Sequence, residues 1–401
     1  MSVCRFLLNP HRRGRLDIDD ATAAVIGRGD VLEFHRSIPG YCATPLVSLP
    51  ALARRLGVGQ ILVKDESKRF HLSAFKVLGA SYAMSCYYRA AWQGKYAEPF
   101  AFADLFNGRV RDKLGPVTFC TATDGNHGRA VAWMASLTGN RSVIYMPGNS
   151  VRSRIANIER EGATVVVVDG TYDDAVSGVA RDAAENGWQI ISDTAYPGYT
   201  TIPLHVIAGY STLFREIDDG LAEFDLTGID VVFIQSGVGS LAAAAVWHYR
   251  RGQTASRRTA LVNIEPHEAD CLMASARTSD GVMRSTTGSQ KTIMAGLNCG
   301  TPSLVAWPII KQGMDLFISL PDEWCEQAVG TYYHPADADP QIISGESGAA
   351  GMAGLLALCS SDSLAPARKE LDLHKLSRVL LINTEGATDP DNFAKIIGAA
   401  T

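Results

Sequence analysis

The chain has 401 residues, 46% of them hydrophobic and 20% charged, with a formal net charge of −5. That length and balance suit an enzyme-sized globular protein of one large or two smaller domains, and the mild acidity gives no electrostatic footprint for nucleic acid. No apolar run reaches the length of a membrane span, and the opening "MSVCRFLLNPHRRGRLD" lacks the apolar core and cleavage site of a secretory leader.

In chain order, Arg12, Arg13 and Arg15 form a short basic run that reads as solvated surface. The first strand-like run is "QILVKD" (60–65), and Lys64 and Lys68 have the polar neighbours of solvent-facing lysines. Further strand-like runs lie at 116–122, 142–147, 163–169, 188–193, 230–235, 260–265, 315–320 and 378–384. Amphipathic segments at 127–138, 151–161, 172–186, 240–251 and 347–359 alternate with them. This order implies mostly parallel sheets covered by helices on both faces. Nine strands exceed one nucleotide-binding half, so two α/β domains closing on a shared cleft are expected. Residues 277–295 are polar and aperiodic and read as a long functional or mobile loop.

Eight cysteines (Cys4, Cys42, Cys86, Cys120, Cys271, Cys299, Cys325 and Cys359) lie far apart, with no zinc spacing. They read as buried thiols of a cytoplasmic protein, with a Cys271–Cys299 bridge left open. The nine histidines form no HxxxH or HxH pair, so no metal site is expected.

Three segments carry chemistry. Lys76, in "HLSAFKVLGA", follows Ala74 and Phe75 and precedes Val77, Leu78, Gly79 and Ala80. Among such neighbours an ammonium loses hydration and its pKa falls, which makes a nucleophilic, Schiff-base lysine; a snorkelling stem is the bland alternative. "TATDGNHGRAVAW" (121–133) crowds Thr123, Asp124, Asn126 and His127 where open α/β sheets bind ligands. Helix capping explains one such residue but not all four. "IQSGVGSLAAAAVWHY" (234–249) runs a strand through Gly237, Val238, Gly239 and Ser240 into an alanine-rich helix. It is either a phosphate cradle at a helix start or a plain tight turn. No GxGxxG or Walker A pattern is present.

Together these segments resemble the fold-type II enzymes that use pyridoxal 5′-phosphate (PLP), the threonine dehydratase and tryptophan synthase β family. Within that family the pattern is most similar to the diaminopropionate ammonia-lyases. The likeness rests on 40–83, on "TATDGNHGRAVAW", on "SDTAYPGYTTIP" (192–203), and on "SGVGSLAAA", "GESGAAG" (345–351) and "NTEGATDP" (383–390), in family order. It implies a two-domain α/β fold with PLP in the interdomain cleft. Residues 1–79 with 202–401 would form the larger domain and 80–201 the smaller.

The resemblance also implies roles. Lys76 would carry the cofactor and act as base at Cα, Asn126 would bond its 3′-oxygen, and the N–H groups of Gly237, Val238, Gly239 and Ser240 would bind its phosphate. Thr384 matches the hydroxyl facing the pyridine nitrogen. Asp124, opposite Lys76, would hold the departing amine as ammonium or take Cα–H from a D-isomer. Asp193 would bind the distal amine, or else caps a turn. Thr123, Ser73 and Tyr172 are further substrate-side candidates; His127 and Glu346 are weaker ones. The sequence departs from the wider dehydratases at Ala74, where they carry serine, and from the ammonia-lyases at His71 and Ser73. The implied reaction is α,β-elimination from 2,3-diaminopropionate through aminoacrylate to pyruvate and two ammonia, in a cytoplasmic homodimer without nucleic-acid or membrane partners. A hydroxyamino-acid dehydratase, a β-replacement synthase or a non-catalytic PLP-fold module are the alternatives.

Overall fold

A computed structural model of the chain describes residues 3–123, 125–170, 172–251 and 258–399. Among the described residues, eleven strands form two sheets. They are β1 (Arg5–Leu8), β2 (Leu46–Ser48), β3 (Gln60–Asp65), β4 (Thr118–Ala122), β5 (Arg141–Pro147), β6 (Thr164–Val168), β7 (Gln189–Ile190), β8 (Val231–Gln235), β9 (Ala260–Pro266), β10 (Leu316–Leu320) and β11 (Arg378–Asn383). The seven-stranded sheet has the order β1-β10-β9-β8-β11-β3-β2 and the four-stranded sheet the order β6-β5-β4-β7.

Every pairing in the small sheet is parallel. In the large sheet only the edges β1 and β2 run antiparallel to their neighbours. The central strands are buried on both faces, which is why they read as unbroken apolar runs. The run at 188–193 shrinks to the two paired residues of β7. Residues 277–294 contain no helix or strand, as their aperiodic sequence suggested.

Helices cover both faces. On one side of the large sheet, Glu346–Ser360 and Asp322–Tyr333 pack with Phe233, Ile264, Ile318 and Leu381. On the other, Thr201–Gly209, Ser211–Gly220 and Ser240–Arg250 pack with Val232, Ile234, Leu261 and Leu380. Among the described residues no helix is long and apolar enough to cross a membrane.

The helix Lys76–Gln93 lies between the two cores. Leu78 and Ala83 belong to the large-sheet core, whereas Val77, Tyr82, Met84 and Trp92 belong to the small-sheet core. It crosses the helix Thr201–Gly209 at two glycines. A Cβ on Gly79 would come within 2.7 Å of Val206 Cγ1, and one on Gly209 within 2.4 Å of the Leu78 carbonyl oxygen. Only residues without a side chain allow that approach.

Lys64 corrects the reading of a solvent-facing lysine. It is fully buried, with Nζ 2.5 Å from Glu216 Oε2 and 2.6 Å from Thr44 O. Arg69 joins the same cluster, donating to Glu216 and to Glu66. Burial opposes the ionised form of Glu216, but Arg69 and Lys64 outweigh it and hold the carboxyl below its usual range. Two cations and two anions thus share one buried site. All eight cysteines are free, and not all are buried: Cys42 is exposed.

Candidate active site

Lys76 opens its helix after two short 3-10 turns, Glu66–Lys68 and Phe70–Leu72. Ser73 turns the chain with φ of 55°, a conformation that costs an L-residue about 1–2 kcal/mol. The loop is pinned to the end of β11 by Phe75 N donating to Thr384 O at 3.1 Å and by a bridge between Ala74 and Glu385.

Lys76 Nζ donates to Asp193 Oδ2 at 2.5 Å. The two side chains are 20% and 12% exposed, so the pair is largely desolvated. Burial alone would lower the Lys76 pKa, but the Asp193 carboxylate outweighs it and holds the amine above the ordinary lysine value. Burial likewise pushes Asp193 up while the Lys76 ammonium pulls it further down, well below the usual carboxylate range. This corrects the expectation of a lysine neutralised by apolar neighbours. The sequence shows the desolvation, but the counter-charge lies 117 residues away.

His127 faces the same carboxylate. Its Nε2 lies 2.8 Å from Ile191 O, and because a carbonyl only accepts, that nitrogen carries the proton. Nδ1 is then a bare acceptor, buried without a hydrogen-bond partner, 3.9 Å from Asp193 Oδ2. Burial keeps the imidazole pKa below its ordinary value.

The glycine loop sits between β8 and the helix Ser240–Arg250. Gly239 has φ of +100°, and a Cβ there would strike Ile310 Cδ1 at 2.5 Å. A Cβ on Gly237 would meet Cys299 Sγ at 2.8 Å. The Cys271 thiol approaches the Gly237 carbonyl on the same turn. Ser303 N donates to Val238 O and Ser240 Oγ donates to Asp193 O, so the loop is fixed in place. The helix has no side-chain cap, and the N–H groups of Gly237, Val238, Gly239 and Ser240 meet no protein acceptor among the described residues. Unused donors at the start of an 11-residue helix fit a phosphate.

In the polar turn after β4, the capping role falls to Thr123. Its Oγ1 accepts from Gly125 N and Gly128 N at 3.0 and 3.1 Å, so its acceptor capacity is spent on the turn. Asn126 starts the next helix and its Nδ2 donates to Glu385 Oε2. Asp124 lies outside the described residues. Thr384 Oγ1 accepts from Gln235 Nε2 at 3.1 Å and lies 3.4 Å from Ser347 O. Tyr172 begins the helix Tyr172–Asn186 and packs, half-buried, against the cluster of Cys120, Tyr145 and Ala175. Glu346, buried at the start of its helix, is bonded by Asn392 instead of capping.

Sequence reasoning passed over Glu385. It is buried; Oε2 receives Asn126 and Thr388, and Oε1 has no partner. Its place inside "NTEGATDP" was the available signal. Contacts therefore link Lys76 to Asp193, Asp193 to Ser240, the lysine loop to Thr384 and Glu385, and Glu385 to Asn126.

A family model described as pyridoxal-phosphate dependent enzyme matches residues 38–384. Diaminopropionate ammonia-lyase of Salmonella typhimurium is 41% identical over 371 residues, which cover 92% of this chain and 91% of that protein. The crystal structure of holo diaminopropionate ammonia lyase from Escherichia coli superposes with a TM-score of 0.87 at 34% identity, covering 100% of this chain and 98% of that one. The same E. coli enzyme in complex with an aminoacrylate–PLP azomethine reaction intermediate gives 0.86 at 34% identity, with the same coverage.

Proposed function

Because the chain belongs to the pyridoxal-phosphate dependent enzymes, we propose that it is a lyase that eliminates ammonia from 2,3-diaminopropionate. Cα–H and Cβ–N bonds break, and water then converts the released enamine to pyruvate and a second ammonia. The observation that carries this reading is the Lys76–Asp193 pair, set between an unused phosphate cradle and the Asn126 turn. The bound cofactor would supply the sink for the electrons left at Cα.

Lys76 would hold the cofactor's aldehyde carbon and, once released from it, take the Cα proton of an L-substrate. Asp193, bonded to the amine here, would lose that partner once Lys76 holds the cofactor and would then be free, still charged, to meet the substrate's distal amine. Asp124 would take the Cα proton of a D-isomer from the other side. Asn126, its amide oriented by Glu385, would donate to the 3′-oxygen. Gly237, Val238, Gly239 and Ser240 would hold the phosphate through N–H groups. The Thr384 hydroxyl would face the ring nitrogen; a neutral partner does not hold that nitrogen protonated, which suits prompt loss of a β-group.

Ala74 is buried against Glu385 and offers no hydroxyl to a β-hydroxy substrate, whereas Asp193 offers charge to a β-ammonium. The division into 1–79 with 202–401 and 80–201 goes with this reading, as do a cytoplasmic location and a homodimer.

The test is pyruvate release from a panel of β-substituted amino acids. One desolvated ammonium–carboxylate contact contributes about 1.5–3 kcal/mol, so kcat/KM for diaminopropionate should exceed that for serine or threonine by roughly ten- to a hundredfold. Efficient serine or threonine turnover with little on diaminopropionate sinks the proposal. Product formation only when an external nucleophile is supplied points to a synthase instead.

A further inference from the structure

Away from the lysine, a cavity of about 120 Å³ opens where three helices meet: the end of Asp20–Ile26, the start of Ser211–Gly220 and the end of Ser240–Arg250. Arg28, Arg215 and Arg251 line it together with His248, and among the described residues no carboxylate does. In a chain of net charge −5, that is a marked concentration of one sign. Two of these groups already have carboxylate partners, Arg28 with Asp30 at 2.6 Å and His248 with Asp218 at 3.2 Å.

Arg215 and Arg251 have no carboxylate partner among the described residues; Arg215 donates only to Gly29 O, and Arg251 lies over the Trp247 ring at 5.7 Å. Arg251 is exposed and runs past Gly27, where a Cβ would lie 3.6 Å from its Nη1. Two further lining residues, Ser211 and Trp247, carry a hydroxyl and an indole N–H that are buried without a partner. Buried donors left unpaired are costly. Both atoms lie out of reach of the cavity, so the donors that face it are the guanidiniums.

We propose that this cavity is a binding site for a small phosphate-class oxyanion. Guanidinium forks match tetrahedral oxyanions with paired hydrogen bonds. A tetrahedral oxyanion presents oxygens to both of these guanidiniums, Arg215 and Arg251, at once. The site is distinct from the cofactor cradle. Both lie on the helix Ser240–Arg250, one at its first turn and the other at its last, about 16 Å apart for 11 residues.

The test uses the holoenzyme, whose cradle the cofactor fills, and equilibrium dialysis against labelled inorganic phosphate at low ionic strength. One saturable phosphate per chain is expected, displaced by sulfate and not by acetate. Arg215→Gln and Arg251→Gln should each weaken it at least tenfold while leaving cofactor absorbance and turnover of the amino-acid substrate unchanged, which shows that the variants fold. This readout does not depend on which amino acid is the substrate. No saturable binding, binding untouched by both substitutions, or equal displacement by acetate each overturns the proposal.

Discussion

At the scale of single residues, the directions of the Lys76 and Asp193 shifts set a pH window. Asp193 is held down, so its contribution to stability is complete above the ordinary value of 3.8 and is lost as pH falls below it. Lys76 is held up, so its contribution is complete below 10.5 and is lost as pH rises beyond it. Asp193→Asn should therefore destabilise the protein, stripped of cofactor, throughout the range between those values. Leaving one charge buried and alone costs roughly 2–3 kcal/mol once the partial exposure of the lysine is allowed for. Urea denaturation reads it, and an unchanged midpoint would refute it. Glu385 gives a second residue-level expectation. As a carboxylate it accepts only, so it turns the NH₂ end of Asn126 toward itself and fixes the amide plane. Glu385→Ala frees that amide and removes a buried hydrogen bond worth about 1–3 kcal/mol, so PLP should dissociate ten- to a hundredfold more readily. Fluorescence titration with PLP measures this, and wild-type affinity would show that Asn126 is oriented by something else.

Among elements, the crossing of Lys76–Gln93 with Thr201–Gly209 is the tightest joint. Gly209→Ala would drive a methyl group into backbone, the Leu78 carbonyl at 2.4 Å. Gly79→Ala would meet the Val206 and Tyr210 side chains, and the Tyr210 ring lies tilted against that of Phe75, one residue before the lysine. Overpacking of this kind costs about 1–3 kcal/mol. Gly209→Ala should cost more than Gly79→Ala, because backbone yields less than a side chain, and Gly14→Ala, with open space around it, should cost nothing measurable. Denaturation midpoints in any other order would contradict this packing. The long lysine helix was also the least legible element. It is buried nearly all round and built of small residues, so it has no polar face to mark a period. The edge strands β1 and β2 escaped for the opposite reason, being three or four residues long and partly exposed. The central strands were legible because burial on both faces leaves them uniformly apolar.

Across the whole molecule, the two sheets share the lysine helix, which contributes side chains to both cores. One cannot unfold and leave the other's core intact. Thermal unfolding should therefore appear as a single transition, with tryptophan fluorescence and circular dichroism coinciding; two resolved steps would mean that the sheets are independent. The same long-range architecture limits what a sequence can disclose about the site. Lys76, the glycine loop and the Asn126 turn each carry a local signature of composition and spacing. Their partners do not: Asp193 is 117 residues from Lys76, and Glu385 is 259 from Asn126. Pairings of that separation are set by topology and leave no mark on either segment alone.

The buried quartet of Lys64, Glu66, Arg69 and Glu216 has a consequence for how this sequence is able to drift. Each member meets charge of the opposite sign and negligible water. Losing any one strands a partner at about 3–5 kcal/mol, a large part of the 5–15 kcal/mol that keeps a typical domain folded. Replacing a matched pair by apolar residues of similar volume is, by contrast, often neutral. A library of single substitutions should find all four positions intolerant, while a pairwise library should recover folded combinations at Lys64 and Glu216. Evolution at this cluster would then advance by linked steps, each neutral only as a pair.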